Sequence, residues 1–172
     1  MLVCTHARHD ACCGLHGRPI AAVLAESHGD LAWECSHVGG HRLAGNVVLP
    51  LDGTYYGRVD VEVASTLVAD HFGGTVTAAN LRGFSWMDGP AQVVAVEAHR
   101  RWGPATSGSI TKATCATLSA GRWRVELEAD VPLPAAITAE VEEQVGPPAA
   151  LSCGSSPEPT IQRVITSLDA EE

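Results

Sequence analysis

The sequence predicts an α/β core over residues 1–103 and a small β-rich extension over residues 104–172. Helix and strand patterns alternate in the first part, in the order β-α-β-loop-β-β-α-α, and only strand patterns follow it. Gly103-Pro104 and the Ser, Gly and Thr residues after it mark the change, because this composition is typical of loops. A chain of 172 residues is long enough for one domain with such an extension.

Local patterns predict the first three elements. Residues 1–4 form a short apolar segment that suits a strand. A helix is predicted over residues 17–27, with Pro19 in its first turn and Gly29 as its stop signal. Apolar and polar residues alternate over residues 31–37, which indicates a second strand.

The remaining elements have similarly local signals. Two strands over residues 46–51 and 54–59 are joined at Asp52-Gly53, a typical hairpin turn. Amphipathic patterns that end at glycine predict helices over residues 61–72 and 90–102. In the extension, alternating patterns between turn residues predict four strands, over residues 113–118, 123–129, 137–145 and 160–168.

The overall composition restricts the function. Hydrophobic residues make up 45% of the chain, which is enough for a sizeable core, and the net charge of −9 argues against a nucleic-acid-binding surface. No apolar run reaches the length of about 18 residues that a membrane span needs, and no signal peptide is recognisable. Six cysteines without a secretory signal therefore predict a reducing, cytoplasmic location, where thiols serve metals or redox chemistry.

Two cysteine- and histidine-rich clusters lie near the N-terminus. The first covers residues 4–14 (CTHARHDACCG) and the second covers residues 35–42 (CSHVGGHR). Thiolates and imidazoles are the ligands that transition metals and iron–sulfur clusters take from proteins. Gly39 and Gly40 disfavour a helix, so we place the second cluster on a loop, as we do most of the first. The two clusters together predict a metal centre.

The residues alone leave several kinds of site open. A Rieske pattern can be written as Cys4-x-His6 with Cys13-x-x-His16, although its two halves lie too close together in sequence. Zinc held by two cysteines and two histidines is a second reading, although the chain has no closely spaced Cys-x₂₋₄-Cys pair of the usual kind. A thiol-dependent oxidoreductase is a third, although the chain lacks Cys-x-x-Cys.

The combined motif resembles the sucrase/ferredoxin-like family. The resemblance rests on CTHxxHDxCCG at residues 4–14, ECSHxGGHRxAGN at residues 34–46, YYGRV at residues 55–59 and LSCG at residues 151–154. It implies a thioredoxin-like ferredoxin domain that carries a [2Fe–2S] cluster on two cysteines and two histidines. Carried over to this sequence, the implied ligands are Cys4, Cys13, His37 and His41.

The resemblance also implies a function. The protein is expected to be an electron carrier rather than an enzyme with its own substrate. Its expected partners are a redox protein and, since such ferredoxins often dimerise, a second copy of the chain. Two neutral imidazoles in place of thiolates raise the reduction potential, and a histidine ligand can couple electron transfer to a proton. Cys12 is then a packed neighbour of the site, although it is also the alternative to Cys13 as a ligand. Cys35 is expected to be a core residue behind the site and is the second alternative ligand. Larger members carry a preceding domain, so this chain is expected to be a stand-alone or shortened version.

Overall fold

The computed structural model describes residues 1–8, 10–152 and 154–171, and at residue 41 it describes the backbone only. Within these ranges three α-helices and nine strands follow one another along the chain. They are β1 (Leu2–Cys4), α1 (Ala11–His28), β2 (Trp33–Cys35), β3 (Val47–Leu49), β4 (Thr54–Tyr56), α2 (Val61–Phe72), β5 (Leu81–Phe84), α3 (Gly89–Trp102), β6 (Ile110–Ser119), β7 (Arg122–Ala129), β8 (Ala136–Ala149) and β9 (Glu158–Glu171).

The first sheet contains five short strands in the order β2-β1-β3-β4-β5. β1 and β2 are parallel, and α1 is the crossover between them, as parallel neighbours require. β3, β4 and β5 are antiparallel to their neighbours, and the tight β3–β4 turn contains Asp52 and Gly53. The carboxyl ends of β1 and β2 therefore lie side by side, which places Cys4 opposite Cys35.

The second sheet is an antiparallel meander in the order β6-β7-β8-β9. α3 contacts β5 of the first sheet and β6, β7 and β9 of the second. Buried side chains of both parts, such as Val94 of α3 and Val125 of β7, belong to one hydrophobic core. The prediction of an α/β fold with C-terminal strands is confirmed.

α1 begins earlier than predicted. It starts at Ala11 because the Asp10 side chain caps it, so Cys12 and Cys13 lie on a helix and not on the predicted loop. Pro19 lies inside this helix and not in its first turn. The alternating pattern of residues 31–37 forms a strand only over β2, because a 3₁₀ turn occupies residues 29–31 and irregular backbone follows Cys35.

β5 was not predicted. Its four residues include Gly83, which is atypical of a strand interior, and the segment is too short to show a period. The other predicted helices and strands are confirmed, with boundaries that shift by a few residues. None of the helices in the described ranges has both the length and the apolar character of a membrane span.

Candidate metal centre at the ends of β1 and β2

Three chain segments meet where β1 ends. Cys4 is the last residue of β1, and Cys35 occupies the matching position at the end of β2. The Thr5 amide donates a hydrogen bond to the Cys35 carbonyl at 3.2 Å, and the Cys4 amide donates one to the Asn46 carbonyl at 3.1 Å. The loop over residues 36–46 therefore begins and ends next to Cys4, so the second cluster is anchored beside the first.

The start of α1 brings Cys13 to the same place. Asp10 accepts a hydrogen bond from the Cys12 amide at 2.8 Å, and its carbonyl accepts one from the Cys13 amide at 3.1 Å. Cys4 and Cys13 are each only 1% exposed, and their thiols are hydrogen-bonding neighbours. The predicted cysteine pair is therefore together, at the junction of a strand end and a helix start.

Gly17 allows this close contact between α1 and β1. A Cβ atom at Gly17 would lie 2.0 Å from the Cys4 carbonyl oxygen and 3.0 Å from its carbonyl carbon. Gly17 follows Cys13 by one helical turn and faces the same way, so the missing side chain lets the helix backbone reach the strand backbone. The sequence pattern indicates only a helix start at Gly17. A glycine four residues after a candidate cysteine ligand is the sequence signal that could have indicated this close helix–strand contact.

Burial and neighbouring charges oppose the ionisation of Cys13 and Cys35 at this site. The pKa of Cys13 is raised to about 12, first by burial and then by its hydrogen bond to Cys4 and by the charges of Cys4, Asp10 and Cys35. The pKa of Cys35 is raised by burial and by the charge of Cys4. Cys13 and Cys35 are thus held in the neutral thiol form, which is a poor nucleophile.

The other cysteines differ in state and place. Cys35 is half-buried beside Cys4, so the prediction that it lies in the core behind the site is wrong. Its strand ends the sheet, which leaves one side of it uncovered. Cys12 is disulfide-bonded, whereas Cys4, Cys13, Cys35 and Cys115 are free thiols. Cys153 of the quoted motif and His9 lie outside the described residues.

The predicted histidine ligands lie on the loop after β2. His37 is exposed, two residues beyond Cys35, and His41 begins a 3₁₀ turn over His41–Leu43. Gly39 and Gly40 have φ values of 82° and 66°, a region that only glycine adopts readily, so the predicted tight turn is present. The structure thus places both histidines on the predicted loop, and the Rieske pattern is disfavoured because Cys13 and His16 share a helix.

Arg82 holds this loop in place. Its Nη1 donates hydrogen bonds to Asn46 Oδ1 at 2.8 Å and to the Gly39 carbonyl at 3.4 Å. Asn46 Nδ2 in turn donates to the Gly40 carbonyl at 3.2 Å, and the guanidinium lies over the Tyr55 ring at 5.7 Å. Burial lowers the pKa of Arg82. No sequence pattern indicates this role, because Arg82 lies on the unpredicted strand β5.

Among the residues whose side chains are described, no group of three or more His, Cys, Asp or Glu side chains has a geometry that could hold a metal ion. The side chains of His9, His41 and Cys153 lie outside the described part of the structure. The structure therefore brings together the cysteine half of the predicted ligand set. It also adds Cys35 as a neighbour.

The fold and this site define the class of the N-terminal part. It is an α/β domain with a buried thiol pair where a parallel strand and a capped helix meet. Residues 1–83, just under half of the chain, match the family model described as sucrase/ferredoxin-like. This match covers both clusters and extends into β5. Neither the comparison with curated proteins nor that with solved structures gives a match.

Proposed function

We propose that the protein is an electron carrier that holds a [2Fe–2S] cluster on Cys4, Cys13, His37 and His41, in a thioredoxin-like ferredoxin domain. The observation that carries this proposal is the contact between two buried free thiols, Cys4 and Cys13. They lie in a segment that matches a family model with ferredoxin-like character. The match to that family model, rather than the fold alone, is what supports electron transfer.

The cysteine half of the site fits a cationic group. Burial and mutual repulsion disfavour the thiolates of Cys13 and Cys35 in the free protein. A bound iron cation removes both penalties, because metal ions stabilise coordinated thiolates. The contact between Cys4 and Cys13 also brings two ligands to one place without a large change in the backbone.

The histidine half is supported by connectivity. The loop that carries His37 and His41 starts after Cys35 and returns at Asn46, and both ends adjoin Cys4. When bound, the cluster supplies reversible one-electron transfer. His37 is exposed, so a ring nitrogen that is not used for coordination can hold a proton from water, which would couple the reduction potential to pH.

A zinc site is a second candidate, and the position of Cys35 favours it. Three cysteines and one histidine form a common structural zinc site, and Cys4, Cys13 and Cys35 are close enough to affect one another electrostatically. Their side chains do not have a metal-binding geometry in this structure, so a zinc site would require them to rearrange. A thiol-dependent oxidoreductase that uses Cys13 or Cys35 is disfavoured, because a reactive cysteine needs a lowered pKa and the pKa values of these two thiols are raised.

Anaerobic reconstitution with ferrous iron and sulfide tests the proposal. The expected result is a red-brown protein with charge-transfer absorption and about two irons and two sulfides per chain. Cys4→Ser and Cys13→Ser should each abolish this absorption. Cys115→Ser is the matched control, since Cys115 is also a free thiol but lies on β6 of the second sheet.

Two further variants separate the candidates. Cys35→Ser should leave the iron–sulfur absorption unchanged, whereas a zinc site that uses Cys35 loses its metal. His37→Cys should keep the cluster and lower its potential, because a thiolate adds negative charge at the iron. A colourless protein with one zinc per chain, or equal losses in Cys13→Ser and Cys115→Ser, would contradict the proposal.

A further inference from the structure

The strongest feature outside the candidate metal centre is a basic groove. We use this name for the cavity of about 730 Å³ between α3, β9 and the loops after β4 and α2. It shares six of its lining residues with a neighbouring cavity of about 630 Å³. Six of the chain's 11 basic residues line the groove: Arg42, Arg58, Arg82, Arg100, Arg101 and Arg163.

Little negative charge balances these arginines. Two glutamates line the two cavities, Glu97 and Glu143, and each already pairs with an arginine. Glu97 pairs with Arg101 at 2.6 Å, and Glu143 pairs with Arg163 at 3.1 Å. The two cavities together therefore carry six positive and two negative side chains, in a protein whose net charge is −9.

Three of the arginines have no side-chain partner among the described residues. Arg42, Arg58 and Arg100 are exposed and make no hydrogen bond or ion pair through their guanidinium groups in that part of the chain. Arg42 also lies close enough to Arg82 to help lower its pKa. Like charges held together without counter-charges attract an anion from solution.

The backbone holds Arg58 in an unusual conformation at the groove. Its φ of 54° is the one positive value at a non-glycine residue in the described ranges. Its amide donates to the Leu43 carbonyl at 2.8 Å, and its carbonyl accepts from Asn80 Nδ2 at 3.0 Å. Such conformations are retained where the surroundings fix them, and they cluster at binding sites.

The shape of the groove favours a small ligand over a macromolecule. The arginines come from five separate segments around one concavity, and the volume lies within the usual range for small-molecule sites of about 300–1,000 Å³. A nucleic-acid surface would need an extended basic stripe, and the acidic remainder of this chain opposes one. Val93, Val96 and Ile165 add an apolar part to the lining.

We propose that the basic groove binds a small phosphorylated molecule with adjacent phosphate groups, through Arg42, Arg58 and Arg100. Arginine donates paired, charge-assisted hydrogen bonds to phosphate oxygens, and convergent arginines recognise more than one phosphate. The apolar side chains contact the organic part of the ligand. This proposal does not depend on the metal centre, because it uses residues outside the predicted ligand set.

Calorimetric titration with inorganic pyrophosphate at low ionic strength tests the proposal. The expected result is saturable binding of one pyrophosphate per chain, weaker binding of orthophosphate, and loss of affinity as salt is added. Arg58→Gln and Arg100→Gln should each weaken binding about tenfold, as loss of a charge-assisted hydrogen bond predicts. Arg122→Gln is the matched control, since it removes the same charge from β7, outside the groove.

Circular dichroism shows whether each variant keeps its fold. The replaced side chains are exposed at Arg58, Arg100 and Arg122, so we expect the spectra to be unchanged. The proposal would be overturned if pyrophosphate binding does not saturate, or if Arg122→Gln and Arg58→Gln lose affinity for pyrophosphate equally. Binding of an acidic peptide such as poly-glutamate without binding of pyrophosphate would overturn it too, and would identify a protein-docking surface instead.

Discussion

Replacing Gly17 by alanine tests how closely α1 packs on β1 at the candidate metal centre. The added Cβ would lie 2.0 Å from the Cys4 carbonyl oxygen, and ordinary contact begins at 3.4 Å. α1 must therefore move by about 1.4 Å or the strand end must shift. The added Cβ is fixed to the helix backbone and the Cys4 carbonyl oxygen is itself a backbone atom, so a rotamer change cannot relieve the overlap.

The expected effect is the difference between two opposing contributions. Overpacking costs about 1–3 kcal/mol, and the backbone contact places this case near the upper end. Alanine gains about 1 kcal/mol over glycine in a helix interior. We therefore expect Gly17→Ala to lose about 2 kcal/mol of unfolding free energy, which lowers Tm by about 4–8 °C in a protein of this size.

Urea unfolding followed by tryptophan fluorescence and circular dichroism measures this loss. Gly108→Ala is the control, because the nearest atom to its added Cβ is 3.8 Å away, and it should change stability by less than about 0.5 kcal/mol. If Gly17→Ala is instead stabilised by about 1 kcal/mol, as an exposed helical glycine would be, the proposed close contact of α1 with β1 is wrong.

Three further perturbations have clear expected outcomes. Burial lowers the pKa of His99 to about 4, so the imidazole is neutral in the fold but protonated in the unfolded chain below about pH 6.5. The wild type should lose about 3 kcal/mol of stability between pH 6.5 and 4 in urea unfolding, and parallel pH profiles for wild type and His99→Phe would refute this. Burial alone would raise the pKa of Asp52, but hydrogen bonds from Ser107 and Thr54 outweigh burial, and the pKa is lowered. The ionised carboxylate therefore stabilises the fold above the pKa of the unfolded chain, and this stability is lost as pH falls through the pKa of the folded state. Asp52→Asn should cost about 1 kcal/mol at pH 7 and flatten the profile below pH 4, an effect that is absent if the hydrogen bonds contribute nothing. Arg82→Met should speed amide hydrogen exchange in residues 37–46, as measured by mass spectrometry, while exchange in α3 stays unchanged. Equal exchange of residues 37–46 in the wild type and in Arg82→Met would show that Arg82 does not hold the loop.

The sequence predicts those parts of the fold that are set by neighbouring residues. α2 matches its prediction because Asp60 caps one end and glycine follows the other. The β3–β4 hairpin matches because Asp52-Gly53 specifies the turn. The start of α1 differs from its prediction because Asp10 caps the helix at Ala11, and Pro19 is accommodated inside the helix rather than in its first turn.

In the candidate site too, features set by neighbouring residues are predictable from the sequence, whereas features set by distant contacts are not. The contact of Cys4 with Cys13 agrees with their spacing, which joins a strand end to the first turn of a helix. The half-buried position of Cys35 depends on β2 being an edge strand, which only the sheet order reveals. The role of Arg82 depends on pairing between β4 and β5, a contact that no local pattern encodes. Such non-local pairing is the reason why the residues that position a site are harder to predict than its ligands.

The distribution of charge separates the two proposed sites. At the candidate metal centre, burial and neighbouring thiols raise the pKa values of Cys13 and Cys35, so coordination of a cation by these thiols would release protons. In the basic groove, arginine stays charged at every accessible pH, so the positive charge is permanent and favours an anion. Arg42 follows His41 directly and also lines the groove, so the two sites are neighbours in the chain. The candidate metal centre favours a cation and the basic groove favours an anion, so iron and pyrophosphate would not compete for the same residues. The iron reconstitution and the pyrophosphate titration therefore each report on a separate site.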